Sequence, residues 1–129
     1  MQGFVTATFG GQAIKFQLAH DARTVAYLEH AIGSPFAVWK RLAAGNWTVR
    51  DVSAVLSFAH PDFAPVLVSN VPGLPFPAPE AVADAVQRNP AGIFAGLAVK
   101  ILEAFLFGLP EERATFDEGK PFGEEAEAA

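Results

Sequence analysis

The sequence predicts an α+β domain, an N-terminal two-stranded antiparallel hairpin packed on a small bundle of four or five helices. Three observations carry that prediction. Two short segments near the N-terminus alternate apolar and polar residues around a pair of glycines. Several later segments repeat apolar residues at helical spacing. The helical segments are separated by cap-and-proline signals rather than by further strands.

The strands come first. In FVTATF, Val5, Ala7 and Phe9 alternate with Thr6 and Thr8; in AIKFQL, Ile14, Phe16 and Leu18 alternate with Lys15 and Gln17. Gly10 and Gly11 lie between them and can take the positive φ angles of a tight two-residue turn. The apolar face needs a cover, because a lone hairpin is only marginally stable.

Asp21 is the better cap of a first helix, whose inward residues are Val25, Leu28 and Ile32, and Gly33 ends it. Ser34 and Pro35 restart the chain as a cap followed by proline at the first helical position. The second helix carries Phe36, Trp39, Leu42 and Ala43 and stops at Gly45. In NWTVRDV, Thr48 caps a third helix with Asp51 three residues on, a variant of the capping box, and Trp47 and Val52 are placed as a hydrophobic staple. That helix runs through Val55, Leu56 and Ala59 to Pro61. Residues 61–79 are proline-rich and without a period, with PVLVS as an extended candidate. A short helix then starts near Pro79. Asn89 and Pro90 repeat the cap-then-proline signal before a last helix with Ile93, Phe94, Leu97, Ile101, Leu102 and Phe105 inward and Lys100, Glu103 and Phe107 on the other side.

Charge divides the chain in two. Residues 1–110 hold seven acidic and seven basic side chains, whereas residues 111–129 hold seven acids against Arg113 and Lys120, so the net charge of −5 sits entirely in the last segment. The expected organisation is one α+β domain over 1–110 and an acidic, disordered tail over 111–129. No basic patch argues for nucleic acid. The longest apolar run, IFAGLAVKILEAFLFG, is too short and too interrupted for a membrane span. With no cysteine and no secretory signal, the expected location is the cytoplasm.

Chemistry finds little support. Glu29 and His30 are neighbours in VAYLEHAIGS, but side chains one residue apart on a helix point about 100° apart. His20, His30 and His60 show no metal spacing, and no HExxH, GxSxG, GxGxxG or P-loop occurs. The sequence therefore predicts no catalytic residue, metal or cofactor. A polar pocket converging on His30 or His60 is the arrangement an enzyme or small-molecule binder would need. Hydrophobic residues make up 51% of the chain, with 12 Phe, which is much for so small a core to hide. Phe63, Phe76 and Phe107 are the candidates for a partner-binding surface. The competing reading is that the proline-rich segment folds back and buries Phe63 and Phe76.

The order of segments over residues 3–59 resembles the tail assembly chaperone-like proteins of gene transfer agents and long-tailed phages. The residues that carry this are Gly10 and Gly11 of the hairpin, Leu28 and Glu29 with Gly33 at the first helix end, Gly45 at the second turn, and Thr48 and Asp51 opening the third helix. The resemblance implies a non-enzymatic protein that binds and solubilises the tape measure protein during tail assembly. The partners expected are that protein, the tail tube protein and a second copy of itself. The alternatives are a structural subunit of a tail or neck and a small soluble adaptor domain.

Overall fold

A computed structural model of the chain describes residues 4–9, 11–63, 76–108 and 112–113. The element order is β1 (Val5–Phe9), β2 (Gln12–Phe16), α1 (Ala22–Ile32), α2 (Pro35–Ala44), α3 (Val49–Ala59), α4 (Glu80–Arg88), a 3-10 turn (Ala91–Phe94), α5 (Ala95–Phe107) and β3 (Glu112–Arg113). This is the predicted hairpin packed on five helices.

β1 and β2 pair antiparallel from Val5 opposite Phe16 to Phe9 opposite Gln12. Gly11 lies in the turn between them. Gly11 has φ of 81°, the left-handed region where a side chain is disfavoured; Gly10 lies outside the described residues. Val5, Ala7, Ile14 and Phe16 face the core, as the alternation requires. One strand was not foreseen. β3 lies parallel to β1 on its other side, giving the sheet order β2-β1-β3. Residues 112 and 113, within the segment expected to be an acidic, disordered tail, thus contribute backbone to the sheet. Its other residues, and the PVLVS stretch, lie outside the described residues.

The caps form as their residue types dictate. Asp21 accepts from the Thr24 N–H (3.2 Å) and Thr24 hydroxyl (3.0 Å). Ser34 Oγ accepts from the Ala37 N–H at 3.1 Å, with Pro35 opening α2. Gly45 ends α2 in the left-handed conformation, and the next amide, of Asn46, reaches back to the Arg41 carbonyl at 2.8 Å, a pairing of the Schellman type. Asn89 departs from expectation. Its side chain donates to the Ala85 carbonyl at 2.9 Å, so it serves as the C-terminal cap of α4. A 3-10 turn then precedes α5.

α3 is the central element. Every residue from Asp51 to His60 is buried, with α1, α4, the 3-10 turn and α5 packed around it. The hairpin joins this centre where the Gln17 N–H donates to the Ala59 carbonyl at 2.9 Å. Around α3 the core collects Phe16, Leu28, Val38, Phe94, Leu97 and Ile101, all essentially inaccessible. On α2 the buried stripe is Pro35, Val38 and Leu42. Of the other apolar residues that α2 carries, Phe36 and Ala43 are exposed.

Candidate functional site

The arrangement of the second, third and first helices rests on one side chain the motif reading did not single out. Arg41, on α2, donates through Nη2 to Asp51 Oδ1 at 2.7 Å and through Nε to Asp51 Oδ2 at 3.1 Å, and again through Nη2 to the Ile32 carbonyl at 2.9 Å. Asp51 completes the capping box of α3: its N–H donates to Thr48 Oγ1 (3.1 Å) and its carboxylate accepts from the Thr48 N–H (3.0 Å). Burial alone would raise the Asp51 pKa. The Arg41 and Thr48 hydrogen bonds reverse that effect and hold it below the usual carboxylate value, while the hydrogen bond to Asp51 raises that of Arg41. Of the two residues expected to form a staple, Val52 is fully buried and Trp47 packs partly against the core. These groups are all committed to one another, so their role is positional.

The histidines do not converge. His30 is exposed beside an exposed Glu29. Glu29 enters the structure through its backbone, whose carbonyl accepts from the Gly33 N–H at 2.8 Å and closes α1. His20 Nε2 is 2.9 Å from the Phe105 carbonyl, tying the approach to α1 onto α5. His60 is buried edge-on against Phe16. Its Nδ1 accepts from the Asp62 N–H at 3.0 Å, and burial lowers its pKa against the opposing charge of Asp62, which favours the neutral ring. A shallow cleft of about 240 Å³ runs beside His60, between β2 and residues 61, 62 and 81. His30 is not part of its lining. Among the described residues no group of three or more metal-ligating side chains forms.

The aromatic candidates separate into two places. Phe76 is fully buried, 5.6 Å edge-on from Phe58. Phe63 stacks on Phe58 at 4.4 Å and meets Tyr27 at 6.4 Å. Together with Tyr27 they form an aromatic cluster over the end of α3. The choice of Phe76 as a surface residue is therefore corrected: Phe58 of α3 supplies a ring for it to pack against, and it presents no area to a partner. Phe63 is half-buried in the same cluster.

Phe107 is different. It is 53% exposed at the end of α5 and lies 5.2 Å edge-on from Trp39 of α2. Trp39 in turn lies 5.6 Å from Phe36, itself 50% exposed. The Trp39 indole N–H donates to Glu103 Oε2 at 3.3 Å, and Lys40 Nζ lies 5.7 Å from the centre of the Phe36 ring. Two helices distant in sequence thus present one contiguous aromatic surface, Phe36–Trp39–Phe107. The indole is polarised by one carboxylate and the outer ring is flanked by one ammonium. Exposed aromatic area of this kind suits protein contact. The sequence lists Phe36 and Trp39 among the apolar residues of α2 and assigns them no face. The buried stripe Pro35, Val38 and Leu42 has helical spacing of its own and leaves both rings off it.

Residues 2–59 match the family model described as phage tail tube protein, GTA-gp10. The matched segment ends on the last residue of α3, so it spans the hairpin and the first three helices and includes Phe36, Trp39 and the Arg41–Asp51 pair. No curated protein and no solved structure matches the chain. The match corrects the chaperone resemblance. It falls on the same segment, but the family is described as a tail tube protein and not as an assembly chaperone, and the tape measure partner goes with the chaperone reading. What remains is the connection to a phage or gene transfer agent tail. No helix among the described residues is long and apolar enough to cross a membrane.

Proposed function

We propose that the protein is a structural subunit of the tail of a long-tailed phage or gene transfer agent, working as a tail tube component. The match to the tail tube family over the hairpin, α1, α2 and α3 carries this reading. In it, the surplus acidic charge of residues 111–129 keeps the protein dispersed before assembly. The partners are other tail tube components, including further copies of the chain, and assembly takes place in the cytoplasm. The surface Phe36–Trp39–Phe107 supports the reading, because a subunit that polymerises needs apolar area open in the monomer and covered in the assembly. The capping and core residues hold that surface in shape; none of them has a chemical task.

Particles purified from a host carrying the gene, then denatured and analysed by quantitative mass spectrometry, test the proposal. A tail tube component is present in many copies per particle. Intact particles that lack the protein, or contain only traces, overturn the reading.

A further inference from the structure

β2 is an outer strand of the sheet, with β1 on one side and, among the described residues, no strand on the other. In an antiparallel ladder, alternate residues turn their N–H and C=O groups towards the partner strand and away from it. Gln17 marks the set that points away, because its N–H is turned from β1 and donates to the Ala59 carbonyl at 2.9 Å. Lys15 and Ala13, two and four residues earlier, belong to the same set. Both are exposed, and among the described residues no backbone group outside the hairpin bonds to either. Beside them lies the shallow cleft of about 240 Å³, bounded on its far side by His60, Pro61, Asp62 and Ala81. Such an edge offers backbone donors and acceptors to another strand.

A lysine on an edge strand can serve to repel a second strand. Lys15 is held otherwise. Its Nζ lies 4.1 Å from the centre of the Phe4 ring, next to the start of β1, so the charge is drawn across the hairpin and away from the open edge. The free groups are also self-complementary. Two β2 strands related by a two-fold axis between their Ile14 residues run antiparallel and set Ala13 of each copy opposite Lys15 of the other. Opposed residues of this kind exchange both hydrogen bonds, so every outward N–H and C=O of the two residues finds a partner. Each lysine faces an alanine, which avoids the repulsion of like charges set directly opposite. A contact in which both copies use the same patch closes as a pair.

We propose that the open edge of β2 joins two copies of the chain by antiparallel β2–β2 pairing, making one continuous sheet. The choice of a second copy as occupant rests on the tail tube reading; the open edge does not. The contact shares no residue with the Phe36–Trp39–Phe107 surface, so the two do not compete for the same side chains.

Proline at position 13 removes an N–H that points away from β1 and leaves the hairpin ladder in place. A13P of the full-length chain should therefore keep the circular dichroism of the wild type. Its self-association should weaken by roughly tenfold or more, because each copy loses a hydrogen bond. In sedimentation equilibrium, a wild type that stays monomeric, or a folded A13P that pairs as well as the wild type, overturns the proposal. A second test needs no proline. The chain has no cysteine, so A13C and K15C can be mixed in equal amounts and oxidised. The mixed disulfide should exceed its statistical share several-fold, because opposed Cα atoms about 5.5 Å apart suit the bond; statistical yields overturn the proposal. Hydrogen exchange reveals any other occupant. Ala13 and Lys15 amides protected at every dilution show a segment of the same chain on the edge, and protection only with other tail proteins present shows a different partner. Either result overturns the β2–β2 contact. A protein abundant in particles that fails these tests loses the edge contact and keeps the tail tube reading, and one that pairs through β2 but is absent from particles does the reverse.

Discussion

Arg41 and Asp51 form a two-point ion pair, 2.7 and 3.1 Å, between α2 and the first turn of α3. The same guanidinium holds the last carbonyl of α1, that of Ile32, at 2.9 Å. One planar group with several donors in a fixed fork can therefore set the mutual placement of three helices. Asp51 is 3% exposed and lies at the positive end of the α3 dipole, where a carboxylate is favoured. Its burial is tolerated because both oxygens accept hydrogen bonds.

Removing either partner should destabilise the fold unequally. Arg41→Met keeps much of the aliphatic packing and leaves a capped carboxylate without its cation. The Arg41 side chain is 36% exposed, so solvent screening moderates the loss, and a cost of about 1–2 kcal/mol is expected. Asp51→Ala removes the pair and half the capping box together and should cost about 2–4 kcal/mol. Urea unfolding of both variants checks the order; an equal or reversed order contradicts this account of the pair.

The pair also sets a pH dependence. The folded pKa of Asp51 is depressed, so the folded protein binds this proton less readily than the unfolded chain. Its contribution is fully present above the unfolded value, about 3.9, and is lost as pH falls through the folded value. His60 adds a loss at higher pH. Its folded pKa is also lowered, so stability declines once pH drops below about 6.5, where the unfolded imidazole takes up its proton. Unfolding midpoints measured between pH 8 and 3 should fall in these two windows. H60Q should flatten the upper one and D51N the lower.

Thr48→Ala tests the cap alone. Thr48 Oγ1 accepts the Asp51 N–H at 3.1 Å, and its loss should cost roughly 0.5–2 kcal/mol. The variant keeps the Arg41–Asp51 pair, so chemical denaturation separates the cap from the ion pair. A change near zero would mean that the bond from the Thr48 N–H to Asp51 is enough to start α3.

The local signals were legible because they depend on residues close in sequence. Ser34–Pro35, Thr48 with Asp51 and the Gly33 and Gly45 stops each follow from hydrogen-bonding groups or backbone freedom within a few positions. Arg41 was not legible. Its partners are ten and nine residues away across two turns, and no spacing rule connects them. The two-residue strand at Glu112–Arg113 was hidden for a similar reason. Two charged residues at the head of an acidic tail carry no strand signal by themselves, and only β1 across the sheet selects them. The aromatic surface failed at a finer point. The apolar residues of α2 fit two stripes of equal period, and the choice between them is made by what α5 places opposite. In the same way Phe76 reads from sequence as part of a loose proline-rich segment, and only the ring of Phe58 shows it to be core.

The contrast between Phe76 and Phe107 gives the last prediction. Both were candidates for one surface, and their surroundings now assign opposite consequences. Phe76→Ala removes a fully buried ring from contact with Phe58 and should cost about 3–5 kcal/mol, because the rigid aromatic cluster can close only part of the cavity. Phe107→Ser acts on a side chain that is half in water and edges Trp39; its stability cost should stay within about 1 kcal/mol. Assembly should show the reverse. If Phe36, Trp39 and Phe107 form the contact between tail components, Phe107→Ser lowers incorporation into particles while the monomer stays folded. Interface aromatics of this kind commonly contribute about 2 kcal/mol or more. Circular dichroism melts of the purified variants and their recovery in particles, measured in parallel, separate the two effects. A folded Phe107→Ser protein incorporated as well as wild type would show that tail contacts are made elsewhere on the molecule.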